Sequence, residues 1–362
     1  MKYITKKVMT GFLCLVFNLE SPAQNTSLTV SISLDEDYQT SAMLVRPEQA
    51  VSPQDLVILF HGSGPFDMDA TVPDGKGGVL SANFKLISEY LAENGISSLR
   101  YNKRGVLGNG SYDQVQLQKA MSLPQLVSDA EQMLNYALAL ADVNNIYLFG
   151  WSEGTWVASH LAAKRNDDVA GIILQAPPNS SLVSIIRTQH IENGLPYLSK
   201  IIDADENGAL SITEILSIPP GPVQLMPMFY MWDPSSSPQS PVVNKYVDTD
   251  SDGEINLETE LRPAIERTLS MMATRPPELS PVIADVMKNV PVPIAILHGD
   301  MDGWVPLGES EAIKLALQEN VTLFRYADLG HALSRTALLS EDSFNPMEID
   351  PLSDLVAWIT HH

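Results

Sequence analysis

The stretch Asn145-Ile146-Tyr147-Leu148-Phe149-Gly150-Trp151-Ser152-Glu153-Gly154-Thr155-Trp156-Val157-Ala158 decides how this chain is read. Residues 146–149 are a short apolar run of strand type, and residues 155–163 read as a helix. Between them two glycines flank one serine. A chain that passes from strand to helix within five residues turns so sharply that side chains at Gly150 and Gly154 would meet neighbouring elements. The same turn lifts Ser152 above the sheet and aims a helix N-terminus at it.

Working outward, short apolar runs alternate with helical patterns. Residues 56–60 precede a helix near 81–93, residues 97–101 precede one at 123–141, and 145–149 precede one at 152–164, with a further strand at 169–174. That rhythm predicts an α/β fold with a mostly parallel central sheet and helices on both faces. It breaks between residues 177 and 293, where 16 of the 25 prolines fall. Proline removes backbone donors, so an inserted, mainly helical or irregular unit is expected there rather than central strands. The rhythm resumes with strands at 292–297 and 321–326 and helices at 307–318 and 352–360. Residues 27–34 and 39–45 read as an antiparallel hairpin leading in. The organisation expected is a core of residues 24–176 and 291–362 interrupted by a lid of residues 177–290.

Three more motifs end predicted strands. His61-Gly62-Ser63-Gly64 follows the strand at 56–60, and a glycine-rich loop there can present a backbone N–H to a developing oxyanion. The amides of Ser63 and Glu153 are the expected oxyanion donors. His61 is expected to support its loop rather than act as a base. His298-Gly299-Asp300-Met301-Asp302-Gly303-Trp304-Val305-Pro306 and Leu329-Gly330-His331-Ala332 end the last two strands. A serine hydroxyl needs a neutral imidazole to take its proton, and the imidazole needs a carboxylate to hold its tautomer. Ser152, His331 and Asp302 are the candidates for those roles. Asp300 competes for the acid role from the same turn, and Asp328 is a weaker candidate.

Through these four motifs, residues 56–176 and 291–362 resemble the α/β hydrolase superfamily, whose chain order is serine, acid, histidine. Within it, Gly62-Ser63-Gly64-Pro65 followed by Leu99-Arg100-Tyr101-Asn102-Lys103-Arg104-Gly105 is similar to the bacterial esterase and acyl-peptidase-like branch. The resemblance implies a Ser152–His331–Asp302 triad and an ester, thioester or amide substrate. Carboxylic ester hydrolysis is the leading expectation, with a peptidase, amidase or thioesterase as the alternative. Arg104 is expected to anchor its loop. A non-catalytic calcium-binding module is the alternative from another class.

The insert carries its own motif. Residues 203–214 resemble an EF-hand loop: Asp203, Asp205 and Asn207 stand at its first, third and fifth places, Gly208 at the sixth, Ala209 and Ser211 at the seventh and ninth, and Glu214 at the twelfth. Residues 248–259 repeat the pattern with Asp248, Asp250, Asp252, Gly253 and Glu254. Here Thr259 stands where the closing Glu belongs, and the carboxylates fall on either side, at Glu258 and Glu260. One or two structural Ca²⁺ ions are therefore expected. Leu210 and Ile255, at the eighth places, would pair the two loops. Met226, Met228, Phe229, Tyr230, Met231 and Trp232 form an apolar patch that reads as lid core.

Length and charge narrow the rest. A chain of 362 residues suggests two domains at most. Its net charge of −22 would repel phosphate backbones and anionic lipid, so nucleic acid and membrane surfaces are poor partners and divalent cations good ones. The expected partner, implied by the resemblance, is a small-molecule ester or acyl substrate. Residues 1–23 read as a signal peptide: Lys2, Lys6 and Lys7 precede an apolar run of residues 8–19, and Ser21-Pro22-Ala23 offers a cleavage site before Gln24. The run is too short to span a bilayer, and export to the periplasm or medium is expected. Cys14, the single cysteine, falls in that segment. Residues 203–260 hold eleven acids and one lysine, so the acidity concentrates around the two loops.

Overall fold

In the computed structural model, which describes residues 25–48, 53–108, 110–120, 122–219, 221–233, 235–237, 240–272 and 282–362, the apolar runs become strands of one eight-stranded sheet. The expected signal peptide at 1–23, with Cys14, lies outside the described residues. The strands are β1 (Thr26–Ser33), β2 (Gln39–Arg46), β3 (Gln54–Phe60), β4 (Ser97–Tyr101), β5 (Val143–Trp151), β6 (Gly171–Gln175), β7 (Ile294–Gly299) and β8 (Val321–Tyr326). Their order is β1-β2-β4-β3-β5-β6-β7-β8. β1 and β2 form the antiparallel hairpin, β2 pairs antiparallel with β4, and every later pairing is parallel. This is the α/β hydrolase fold.

The central strands are apolar without alternation because both faces are covered. On one face Leu56, Ile58, Phe60, Ile146, Leu148, Ile172, Leu174, Ile294 and Ile296 pack against the helices Leu123–Leu138 and Glu153–Lys164. On the other, Val57, Leu59, Tyr147, Phe149, Ile173 and Leu297 pack against Asn83–Glu93 and Ile349–His361. The short helix Ile283–Met287 buries Ile283 and Met287 in the first of these cores, so the core resumes several residues before 291. The rest of the insert has a separate core, in which Leu198, Leu210, Met226, Met231, Ile255, Leu261 and Ile265 are buried together. Tyr230 belongs to it and Trp232 packs against it, whereas Phe229 is 63% exposed.

Arg104 is the largest side chain sealed in the interior. Its guanidinium donates to both carboxylate oxygens of Asp129 at 2.7–2.9 Å, and to Asp35 and Gln116 at 2.8 and 2.9 Å, while the Tyr38 ring lies 5.0 Å away. This binds the entry hairpin to the helix Leu123–Leu138 and anchors the loop after β4, as its place in the sequence suggested. Removing one member of a buried pair leaves the other charge uncompensated. Arg104→Ala should therefore lower unfolding free energy by about 3–5 kcal/mol, read from the urea midpoint at unchanged slope.

Candidate active site

The site forms at the carboxyl ends of β3, β5, β7 and β8, where parallel sheets present their loops. Ser152 follows β5 with φ 53° and ψ −119°, a strained backbone for a residue with a side chain. The glycines make the turn possible. A Cβ on Gly150 would stand 2.3 Å from the carbonyl oxygen of Gly154, and one on Gly154 would stand 2.2 Å from that of Phe60. Glu153 opens the helix Glu153–Lys164, so its amide is among the first-turn donors without a partner inside the helix. The loop after β3 passes directly over the serine: a Cβ on Gly62 would lie 3.3 Å from the Cβ of Ser152. Ser63 follows it there.

Asp302 and His331 are brought together from the ends of β7 and β8. Nδ1 of His331 lies 2.8 Å from Oδ2 of Asp302, and both residues are buried. Oδ1 of Asp302 accepts the amides of Trp304 and Val305 at 2.8 Å each, which fixes the carboxylate. With Nδ1 held by Asp302, Nε2 is the ring nitrogen that remains for a second partner. The competitors are occupied elsewhere: Asp300 receives two hydrogen bonds from Arg325 at 3.0 Å, and Asp328 stands 3.9 Å from Arg335 at the surface. His61 is buried, its Nε2 bonded to the Asp67 carbonyl at 2.9 Å. Burial and the charge of Lys103 push its pKa down to about 3, so it stays neutral.

Three residues of the site were given no role by the sequence, Lys103 and His298 within quoted motifs and Asp342 outside any. Lys103 is buried and donates to the Gly62 carbonyl at 3.0 Å and to the Glu153 carboxylate at 2.7 Å, joining the loop after β3 to the turn that holds Ser152. His298 Nε2 lies 3.4 Å from Asp302 Oδ2, with its ring held by Ser310 and the Val305 carbonyl. Asp342 is fully buried, and its Oδ2 accepts the amides of His331 at 2.8 Å and Gly303 at 2.9 Å. One carboxylate oxygen thus joins the histidine loop to the acid loop. The rings of Trp151, Trp304 and Phe344 surround the imidazole at 5.8, 6.2 and 6.0 Å between centroids.

In the insert, Ala209–Ser211 and Glu254–Asn256 pair antiparallel with Leu210 opposite Ile255. Carboxylate oxygens of Asp203, Asp205 and Glu214 lie within 4.8 Å of one another, and so do those of Asp248, Asp250 and Glu260. An all-oxygen donor set of this kind suits a hard cation such as Ca²⁺. Asn207 stands beside the first group, its amide donating to Asp205 at 3.2 Å and to Glu254 at 3.4 Å. Ser211 caps the helix Ile212–Ser217 and bonds Glu214. Ala209 and Glu254 lie on the ribbon, and Asp252 accepts the Glu254 amide at 2.9 Å. Of the two carboxylates flanking Thr259, Glu260 joins the second group, while Glu258 turns outward to Arg262.

The fold is that of the α/β hydrolases, and its loops hold the residue types that a serine hydrolase uses. The model of the family described as serine aminopeptidase, S33, matches residues 77–191, about a third of the chain and including Ser152. Esterase EstD of Thermotoga maritima is 30% identical over 182 residues, which are 49% of this chain and 40% of that protein. The chain thus spans less than half the length of that relative. The fold is shared with the acylaminoacyl peptidase of Pyrococcus horikoshii (TM-score 0.53, 13% identity, 95% of this chain and 42% of that one). It is shared equally with a 2-hydroxy-6-oxo-6-phenylhexa-2,4-dienoate hydrolase of Rhodococcus sp. (TM-score 0.52, 15% identity, 94% of this chain and 100% of that one).

Burial alone would lower the pKa of His331, but the charge and hydrogen bond of Asp302, with a contribution from Asp342, outweigh it and raise it. Burial and the charge of Asp302 likewise push Asp342 up to about 6. A general base must be neutral, so a raised pKa moves the acidic limb of kcat/KM upward in pH. Asp342→Asn removes one of the raising charges while leaving an acceptor for both amides. It should shift that limb down by roughly half to one pH unit at nearly unchanged plateau kcat. Asp342→Ala breaks the link between the loops and should lower kcat itself, by about tenfold or more.

Proposed function

We propose that this chain hydrolyses carboxylic esters through an acyl-enzyme, with calcium holding its lid, outside the cytoplasm. The observation that carries the reading is the buried 2.8 Å contact of His331 Nδ1 with Asp302, with the ring of Trp151, the residue before Ser152, 5.8 Å from the imidazole and the serine held at φ 53° under a glycine-rich loop. Ser152 Oγ bonds to the carbonyl carbon as its proton passes to His331 Nε2. The amides of Ser63 and Glu153 receive the oxyanion, and the leaving alkoxide takes the proton from His331. Water then repeats the sequence on the acyl-enzyme with the same base. Similarity to an esterase over half the chain supports an ester substrate.

The aminopeptidase description of the matching family supports a second reading, hydrolysis of aminoacyl amides by the same residues. A panel of p-nitrophenyl esters, thioesters and aminoacyl p-nitroanilides separates the two. Esters should turn over fastest, and Ser152→Ala should lose about 10⁴-fold or more in kcat together with labelling by a fluorophosphonate probe. Full activity in Ser152→Ala would remove the assignment. A wild-type protein silent to both probe and panel would favour a calcium-binding module without catalysis.

The donor sets of the insert support Asp203, Asp205, Asn207, Ser211 and Glu214, with the carbonyl of Ala209, as holders of one Ca²⁺ ion. The acids of residues 203–260 repel one another, and a bound cation offsets that repulsion. A site saturated about 100-fold over its Kd stabilises the folded state by about 2.7 kcal/mol. Stripping calcium with EDTA should therefore lower the melting temperature by roughly 5 °C or more and depress turnover, with recovery on adding calcium back. Unchanged melting and turnover would refute the role of calcium in the lid.

A further inference from the structure

We infer that the second loop of the insert is a complete cation site one residue longer than the EF-hand register, closed by Glu260, with a π-helical turn absorbing the extra residue. The inference rests on the calcium reading and extends it to a residue outside the twelve-residue pattern. In the first loop Glu214, at the twelfth place, accepts the amide of the second-place residue Ala204 at 2.8 Å and that of the ninth-place residue Ser211 at 2.9 Å. Glu260, at the thirteenth place of its loop, makes the same two bonds. Its Oε1 accepts the amide of second-place Thr249 at 2.5 Å, and its Oε2 accepts that of ninth-place Asn256 at 2.9 Å. The two carboxylates occupy equivalent positions although their loops differ in length.

The backbone explains how. On an α-helix each added residue swings the next side chain by about 100°, which would carry Glu260 away from the loop. Leu257–Leu261 is wound as a π-helix instead, with the Arg262 amide bonded to the Leu257 carbonyl, and the wider turn returns Glu260 to the face that Glu214 holds in an ordinary turn. The formal twelfth residue, Thr259, has no carboxylate to offer. Glu258 is exposed and held by Arg262 at 2.6 and 3.0 Å. Glu260 is therefore the closing carboxylate by geometry, and it is buried.

An independent observation points to the missing ligand. Asp248, at the first place, is only 6% exposed, and its Oδ1 is buried with no hydrogen-bond partner among the described residues. Its Oδ2 accepts only the Gly253 amide, at 3.2 Å. A buried carboxylate oxygen without a donor is costly, and carboxylate oxygens of Asp248, Asp250 and Glu260 gathered within 4.8 Å repel one another. A divalent cation at their centre satisfies the orphan and removes the repulsion. Asp252 stands at the fifth place as Asn207 does, each accepting the seventh-place amide, and Glu254 stands at the seventh place as Ala209 does.

The test is calorimetric titration of calcium ion into EDTA-stripped, full-length protein. Wild type should bind two ions per chain, Glu214→Gln one, Glu260→Gln one and Glu258→Gln two. Should Glu260→Gln not fold, Glu260→Asp is the second variant, expected to keep the fold and weaken one of the two sites at least about tenfold. Two ions in Glu260→Gln, unaltered affinities in Glu260→Asp, or loss of an ion in Glu258→Gln would overturn the assignment of Glu260. One ion in wild type, abolished by Glu214→Gln, would overturn the second site while leaving the calcium reading intact. No ion in wild type would overturn the calcium reading and this inference with it.

Discussion

The site depends on one close approach, that of the first turn of the helix Glu153–Lys164 onto the end of β3. Only hydrogen fits between the Gly154 Cα and the Phe60 carbonyl, and the same contact lets β5 reverse into the helix at Gly150. The reversal holds Ser152 in a backbone conformation that costs on the order of 1–3 kcal/mol, and the packed sheet on both sides keeps it there. Because β3 and the helix touch, the loop after β3 lies over the serine and its amides can face the same point as that of Glu153. Lys103 then fixes the two partners by bonding the Gly62 carbonyl and the Glu153 carboxylate at once. Ser152 and the loop after β3 are thus positioned by backbone packing, with little left to side-chain rotamers.

The other half of the site is arranged by charge. Two buried carboxylates face His331 from different loops, and their surroundings push them in opposite directions. Burial would raise the pKa of Asp302, but the charges of His331 and His298 and the amide of Val305 overcome it, so it is held low and stays ionised. Asp342 has one oxygen shared between two amides and the other with no donor, and it is held high. Environments that separate two carboxylates in this way assign them different work. Asp302 bonds the imidazole, and Asp342 holds together the two loops that carry the pair.

Most of this architecture was legible because it is local. Strands covered on both faces are continuous apolar runs, and β8 has the bounds read from its residues alone, while β5 and β7 differ by a few residues at their ends. The elbow, the loop after β3 and the two loops bearing Asp302 and His331 are short motifs whose glycines mark forced turns. What could not be read is what the fold brings together from a distance. Asp342 stands in no motif, and it matters only because β7 and β8 place Gly303 and His331 side by side. Lys103 lay in a quoted motif without a role of its own, and its burial follows from the parallel pairing of β3 with β4. The ribbon Thr71–Pro73 with Val79–Ala82 was missed because glycines and polar residues join two very short strands. Glu260 escaped because a π-turn has no composition of its own: the sequence leaves Glu258 and Glu260 equivalent, and only the winding of the backbone separates them.

The lid is a second hydrophobic core, and its few connections to the hydrolase core converge on the acid loop. Gln189 donates to the Trp304 carbonyl, Gly221 packs against the Ser340 carbonyl, and the Pro222 ring lies against Gly303, next to Asp302. A largely apolar cleft of about 460 Å³ runs along this seam between Tyr197, Ile201 and Val223 of the lid and Met301, Leu338 and Leu339 of the core. The other end of the lid is governed by the acidic loops, since the π-turn that presents Glu260 continues into the helix Arg262–Met272. Glu266 on that helix bonds Arg187 at 2.6 and 2.8 Å, on the helix Leu182–Arg187 that follows β6. The acidic loops and these helices share one hydrophobic core, with the half-exposed Arg187–Glu266 pair at its surface. The seam of that core runs beside Asp302, so the acid loop is the part of the site most exposed to changes in lid geometry. The Ser152 elbow, held by glycine packing within the sheet, is the part least exposed.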